Sequence, residues 1–169
     1  MKKRIALVST GGTIEKTYDA FSGVLENRVS VLDVMLASLE LRGVEIERVP
    51  LMNKDSLEMD ARDHDHIAST AHEKARELDG VVIVHGTDRL AQSGERVLSL
   101  GAPPVPVVLT GAMRPFELRH TDALQNLTEA LLAVQILPAG VYCAMHNQVL
   151  AFPGVVKDYE AGTFKRADA

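Results

Sequence analysis

The sequence predicts an α/β fold, a doubly wound and mostly parallel sheet with helices on both faces, in a single domain over residues 1–169. Three observations carry that expectation. The runs Ile5–Val8, Val81–Val84 and Val105–Leu109 are continuously apolar, the pattern of strands buried on both faces of a parallel sheet. Helical segments alternate with such runs in the order β, α, β, α, β, α, β, α, β, which right-handed crossovers fold into one sheet. A chain of 169 residues, 46% hydrophobic and 24% charged, supports one ordinary core and no second folding unit.

The first strand runs through Ser9 and Thr10 into Gly11-Gly12 and then presents Thr13. Lacking a Cβ, these glycines admit positive φ and let a ligand approach the main chain. Glu15 to Gly23 is polar and without periodicity, so it reads as a loop or loose hairpin over that turn, where a lid belongs. Ser30 can cap a helix to about Arg42, with Val31, Val34, Met35 and Leu39 inward and Gly43 ending it. Val44–Leu51 alternates apolar and charged residues, which marks a sheet edge. Met52–Met59 reads as a polar loop, and Asp60 can cap a helix over Ala61–Asp79 whose stripe is Ile67, Ala71, Ala75 and Leu78. Further helices are expected from Arg89 to Leu100, and from Thr121 or Asp122 to about Ile136. Val141–Met145 is the last clear strand, and Val149–Phe152 and Val155–Phe164 read as hairpin strands or irregular structure.

Composition excludes several classes. Net charge is -5 and the only basic block is Lys2-Lys3-Arg4, which argues against nucleic acid and anionic membranes and for a small-molecule partner. The apolar run after that block is too short for a signal peptide, and no segment approaches the ~20 apolar residues of a membrane span, so a cytoplasmic location is expected. Cys143 is alone and flanked by strand-like residues, so it reads as an inert core thiol. Asp63-His64-Asp65-His66 invites a metal reading, but adjacent helical positions face different ways, and a solvated helix surface is expected. Dinucleotide, P-loop and zinc-protease motifs are absent, so neither cofactor nor metal is expected.

Three apolar strands end in Thr10-Gly11-Gly12-Thr13, His85-Gly86-Thr87-Asp88 and Thr110-Gly111-Ala112-Met113. If these strands are neighbours, two threonine hydroxyls, one carboxylate and the N–H groups of helix starts meet in one crevice. On spacing alone, such turns serve equally as a catalytic site or as ordinary capped turns.

Thr10-Gly11-Gly12-Thr13-Ile14 and His85-Gly86-Thr87-Asp88 resemble the two signatures of the bacterial-type L-asparaginases, and Val108 to Pro115 resembles a third family segment. The similarity runs from about Arg4 to Phe164. It implies the short-chain, Rhodospirillum rubrum-type form without the family's C-terminal domain, acting on L-asparagine as a homodimer or homotetramer. Thr13 would attack the side-chain amide, with Tyr18 as the nearest candidate base, and Thr87, Asp88 and Lys157 would form a second polar triad. Which threonine attacks in each step stays open. The substrate would be held by Gly12, Asp55, Ser56, Gly86, Thr87, Asp88 and Ala112. Ser56 would take the α-carboxylate, Asp88 the α-ammonium, the Thr87 N–H the oxyanion and the Ala112 carbonyl the leaving amide. Taken alone, Lys157 reads as a surface lysine and Tyr18 as a loop anchor; only the family pattern raises them.

Two departures from that pattern bear on recognition. Leu57 stands where family members commonly have a polar residue that helps bind the α-ammonium, and the missing domain would remove an acidic residue that a neighbouring subunit contributes. Weaker substrate binding is expected, since one charged hydrogen bond is worth ~1.5–3 kcal/mol. Two other readings remain, an amidase subunit of a tRNA-dependent transamidation complex and a non-catalytic amino-acid-binding module.

Overall fold

The computed structural model describes residues 1–28 and 30–168. Strand β1 (Lys3–Gly11) leads through a 3-10 turn at Thr13–Glu15 into a hairpin of β2 (Thr17–Asp19) and β3 (Val24–Glu26). A short helix α1 (Leu32–Ala37) precedes β4 (Val44–Lys54), and a second 3-10 turn at Ser56–Glu58 leads to α2 (Ala61–Glu77). Then follow β5 (Gly80–Val84), α3 (Leu90–Ser99), β6 (Pro106–Thr110), α4 (Ala123–Ile136) and β7 (Gly140–Met145). The chain closes with β8 (Gln148–Ala151) and a hairpin of β9 (Val155–Asp158) and β10 (Thr163–Arg166).

The central sheet has the order β4-β1-β5-β6-β7-β8, parallel throughout except that β8 returns antiparallel to β7. Successive side chains of β1 serve opposite layers, as the pleat requires. Ala6 and Val8 pack with Ile67 and Ala71 of α2 and with Leu90 and Val97 of α3. Ile5 and Leu7 pack with Leu32 and Met35 of α1 and with Leu127 and Val134 of α4. The expected three-layer arrangement, with β4 as an edge, is what forms. Cys143 lies in the core as expected, and burial pushes its thiol up to about 12.

Local departures have identifiable causes. The helix expected from Ser30 to Arg42 is only α1, and Val34 is exposed. The Ser30 hydroxyl donates to the Glu15 carboxylate at 2.5 Å, and at the other end Ser38 Oγ donates to the Met35 carbonyl at 2.7 Å, a local bond that competes with further helix. Strand β4 runs to Lys54, three residues beyond the expected Leu51, so the polar loop is shorter than Met52–Met59. Its register with β1 shifts between Ser9 and Gly11, where Pro50 brings no N–H to the ladder. Asp60 caps α2 as expected, reciprocated by Asp63 in a capping box.

The acidic-histidine run of α2 does diverge, with Asp63 on Lys54 and Asp65 on Arg96. His64, however, is not part of a solvated surface. It is buried, because its position on the helix faces α3.

Candidate active site

The chain steps outward from β1 to β4, then lands on the other side of β1 as β5. Sheet order therefore reverses between β1 and β5, and in open α/β sheets the ligand crevice lies beyond the carboxyl ends at such a point. Thr10–Thr13 leaves β1 there, and His85–Asp88 leaves β5 there.

The two turns are in direct contact. A Cβ added to Gly12 would stand 2.5 Å from Gly86 Cα, and one added to Gly86 would stand 2.6 Å from Ser56 Oγ. Only glycine fits either place, so Gly12, Gly86 and Ser56 form a continuous floor, with Ser56 buried. The Gly12 N–H donates to the Lys54 carbonyl at 2.8 Å, and the Gly12 carbonyl accepts from Asn27 Nδ2 at 2.7 Å. Thr13 leaves this braced turn half-exposed, at the start of the first 3-10 turn.

Asp55 supports the neighbouring loop rather than the floor itself. Its carboxylate accepts from the Leu57 N–H at 3.0 Å and pairs with Lys16 at 2.7 Å, and the Lys16 hydrogen bond holds the carboxyl below its usual range. This ties the segment after Thr13 to the segment that presents Ser56.

On the β5 side, Lys157 reaches over from β9 and donates to Thr87 Oγ1 and Asp88 Oδ1, each at 2.8 Å. Thr87 is buried, and the Lys157 and Asp88 side chains are mostly covered. The structure thus brings Thr87, Asp88 and Lys157 together. The Tyr159 ring lies 4.7 Å from the Lys157 ammonium, a cation–π contact on the solvent side of the triad.

The third strand end is held from below. The Asp122 carboxylate accepts the N–H groups of Met113 and Arg114 at 3.0 Å each, and Asn126 Nδ2 donates to the Gly111 carbonyl at 2.9 Å, which fixes the loop carrying Ala112. Burial alone raises the Asp122 carboxyl, but these N–H bonds and the His146 ring outweigh it and hold the group below its usual range.

Tyr18 is the expected residue the structure leaves apart. It sits exposed in β2, its N–H donating to Glu117, and among the described residues no hydrogen bond joins its hydroxyl to Thr13. Sequence reasoning also missed several supporting residues. Glu15, counted among the polar lid residues, is buried and accepts from the Gly11 N–H at 3.2 Å. Burial raises its carboxyl above the usual range despite Ser30 and Gly11. Its signal was a glutamate one residue after Ile14, on the same turn. Asp122, Asn126 and Tyr159 gave no signal beyond a helix start and a loop aromatic. Among the described residues, no group of three or more His, Cys, Asp or Glu side chains converges as metal ligands, and no helix is long and apolar enough to cross a membrane.

Comparison with known proteins identifies the family. Residues 4–162 match the family model described as Asparaginase, N-terminal. An L-asparaginase of Thermococcus kodakarensis is 33% identical over 164 residues, covering 94% of this chain and 49% of that protein. A protein named as a glutamyl-tRNA(Gln) amidotransferase subunit, from Methanobrevibacter smithii, is 31% identical over 150 residues, covering 88% of this chain and 34% of the relative. The structure of the thermostable T. kodakarensis L-asparaginase superposes with a TM-score of 0.87 at 30% identity, over 96% of this chain and 51% of that one. The chain thus spans about half or less of the length of these relatives.

Proposed function

Because the chain belongs to the asparaginase family through its N-terminal domain, we propose that it hydrolyses the side-chain amide of L-asparagine to L-aspartate and ammonia, with Thr13 as nucleophile. Thr13 Oγ1 adds to the amide carbon while its proton passes to a base, for which Tyr18 on the β2–β3 hairpin is the candidate once the hairpin folds over the substrate. The Thr87 N–H receives the developing oxyanion. The C–N bond then breaks, the nitrogen leaves as ammonia with the transferred proton, and an ester remains on Thr13. A water gives its proton through Thr87 to Lys157, which acts here as the neutral amine and ends the step as the ammonium, and the resulting hydroxide attacks that ester and frees aspartate and the Thr13 hydroxyl.

The observation that carries this reading is the Lys157 amine within 2.8 Å of both Thr87 and Asp88, on the turn whose Gly86 packs against Gly12, the residue before Thr13. A binding module has no need of two hydroxyls and an amine at a carbonyl site. Purified protein should release ammonia from L-asparagine faster than from L-glutamine or the D-isomers. Thr13→Ala should abolish turnover while leaving aspartate binding in place, and full activity in that variant would overturn the mechanism.

A second reading comes from the relatives named as amidotransferase subunits. There the same chemistry would deliver ammonia to a charged tRNA within a complex. The net charge of -5 offers no tRNA surface on this chain itself. Amide hydrolysis that appears only with tRNA and a partner protein would favour it.

A further inference from the structure

Behind the β5 turn lies a row of buried polar groups that the proposed reaction does not use. His85 Nδ1 is 2.7 Å from the Gly86 carbonyl oxygen, His85 Nε2 is 2.7 Å from Ser93 Oγ, and Ser93 Oγ is 2.7 Å from His64 Nδ1. His85 and Ser93 are fully buried, His64 is 8% exposed, and the two imidazoles are stacked with centroids 6.3 Å apart.

The direction of every proton in this row follows from one acceptor and from the neutrality of two buried imidazoles. A carbonyl oxygen can only accept, so His85 Nδ1 carries a hydrogen. Burial pushes His85 down to about 4, so at neutral pH the ring is uncharged and its Nε2 is a bare acceptor. Ser93 must therefore give its single hydrogen to His85, which leaves its oxygen to accept from His64 Nδ1–H. Burial and then the Arg89 guanidinium push His64 down as well, so it too is neutral, and its Nε2 carries no hydrogen. That nitrogen is buried and has no partner among the described residues. The row thus runs one way, from His64 through Ser93 and His85 to the Gly86 carbonyl.

The Gly86 carbonyl and the Thr87 N–H belong to one peptide. That bond is trans, so the N–H points away from the oxygen that His85 holds. Among the described residues no backbone acceptor takes the Thr87 N–H. We propose that His64, Ser93 and His85 are positioning residues that lock the Gly86–Thr87 peptide plane and polarise it, aiming the Thr87 N–H at the oxygen of the reacting carbonyl. This deepens, and rests on, the amidohydrolase reading. Donation to the carbonyl makes the same peptide's N–H a stronger donor, and a chain of bonds pointing one way adds to that polarisation.

Two measurements on the full chain test it separately from turnover. Nitrogen-15 spectra of the imidazoles in the unliganded wild type should show both His64 and His85 protonated on Nδ1 and bare on Nε2. The Thr87 amide proton should move upfield in Ser93→Ala. Either histidine protonated on Nε2, or an unmoved Thr87 resonance, would overturn the proposal even in a protein that releases no ammonia.

In an active wild type, Ser93→Ala should lower kcat about fivefold, the weight of one buried neutral hydrogen bond, with KM unchanged. His64→Leu should lower kcat less, and His64→Gln, whose amide can donate to Ser93, should restore it. Equal kcat in wild type and Ser93→Ala, or a loss confined to KM, would refute the role. If Ser93→Ala does not fold, the His64→Leu and His64→Gln pair decides, with equal kcat in the two counting against the proposal. Inactivity of the wild type with the expected spectra would reject the amidohydrolase reading and leave the locked peptide standing.

Discussion

Gly12 and Gly86 meet backbone to backbone, with room for no side chain between them, although 73 residues lie between them in the sequence. The contact fuses the ends of β1 and β5 into one surface, and Thr13 and the Lys157 triad keep their relative positions only while it holds. Gly12 also has a φ of 81°, which an alanine adopts only with strain. Gly12→Ala should therefore cost at least about 3 kcal/mol of stability and lower Tm by roughly 6–12 °C in calorimetry. Activity should fall about a hundredfold in the fraction still folded, as the two turns are pushed apart. A wild-type Tm would show that the turns do not pack in this way.

Much of this was legible because strand ends and turns are local chemistry. Unbroken apolar runs ending in Gly and Thr gave the parallel sheet and the converging turns, and Asp60 with Asp63 gave a helix start. What was not legible depends on tertiary contact. Ser30 looks like a helix cap, and only the fold reveals that Glu15 takes its hydroxyl. His64 sits in a run of charged neighbours, and nothing in that run says that one of its four members turns inward to α3. Asp122 reads as a cap, yet its carboxylate serves the loop at Met113 and Arg114, nine and eight residues back along the chain.

Lys157 bridges Thr87 and Asp88 from a separate hairpin, so removing its amine should affect chemistry far more than folding. Lys157→Met keeps the apolar stem and leaves the Asp88 carboxylate with access to water. It should lower kcat by about 10²–10⁴, the range of a lost acid–base group, with Tm within a few degrees of wild type. Tyr159→Phe keeps the ring over the ammonium and removes only the hydroxyl that faces Asp88, so it should lower kcat less than Tyr159→Ala does. Tyr159→Ala should lower kcat about two- to fivefold. Steady-state kinetics with thermal melts on the same preparations separate these outcomes, and an unaltered kcat in Lys157→Met would remove Lys157 from the mechanism.

Glu15 makes stability depend on pH in a direction opposite to that of most carboxylates. Its folded-state pKa lies above the ordinary value of 4.5, chiefly through burial. A carboxyl raised on folding contributes stability that is fully present below its unfolded pKa and is lost as pH rises through its folded pKa. Glu15→Gln keeps the shape and an acceptor for the Gly11 N–H but has no charge to desolvate. The variant should match wild type near pH 4 and become the more stable of the two as pH rises above the carboxylate range, in urea melts taken at several pH values. Glu15→Ala should instead lose about 1–3 kcal/mol at every pH, because it strands a buried N–H. A Glu15→Gln advantage that grows as pH falls would reverse the assignment.

Under the proposed function, Leu57 is the point at which the catalytic and recognition halves of the site would diverge. Its N–H helps Asp55 shape the 3-10 turn that presents Ser56, but its side chain is 59% exposed and offers nothing to an ammonium group. The family pattern puts a polar side chain there, leaving Asp88 as the anionic group assigned to that end of the substrate. Asp88 also accepts from Lys157, so its carboxylate is divided between substrate and triad. Binding energy missing from both ground and transition states raises KM and leaves kcat alone. Leu57→Gln should therefore lower KM for L-asparagine about 3- to 10-fold at constant kcat, the worth of one added hydrogen bond to a charged group at a half-exposed site. The gain should vanish for a substrate lacking the α-amino group, because the new amide then has no ammonium to meet. Equal improvement for both substrates would mean that the glutamine acts on the loop rather than on the ligand, and would move the weakness in recognition away from Leu57.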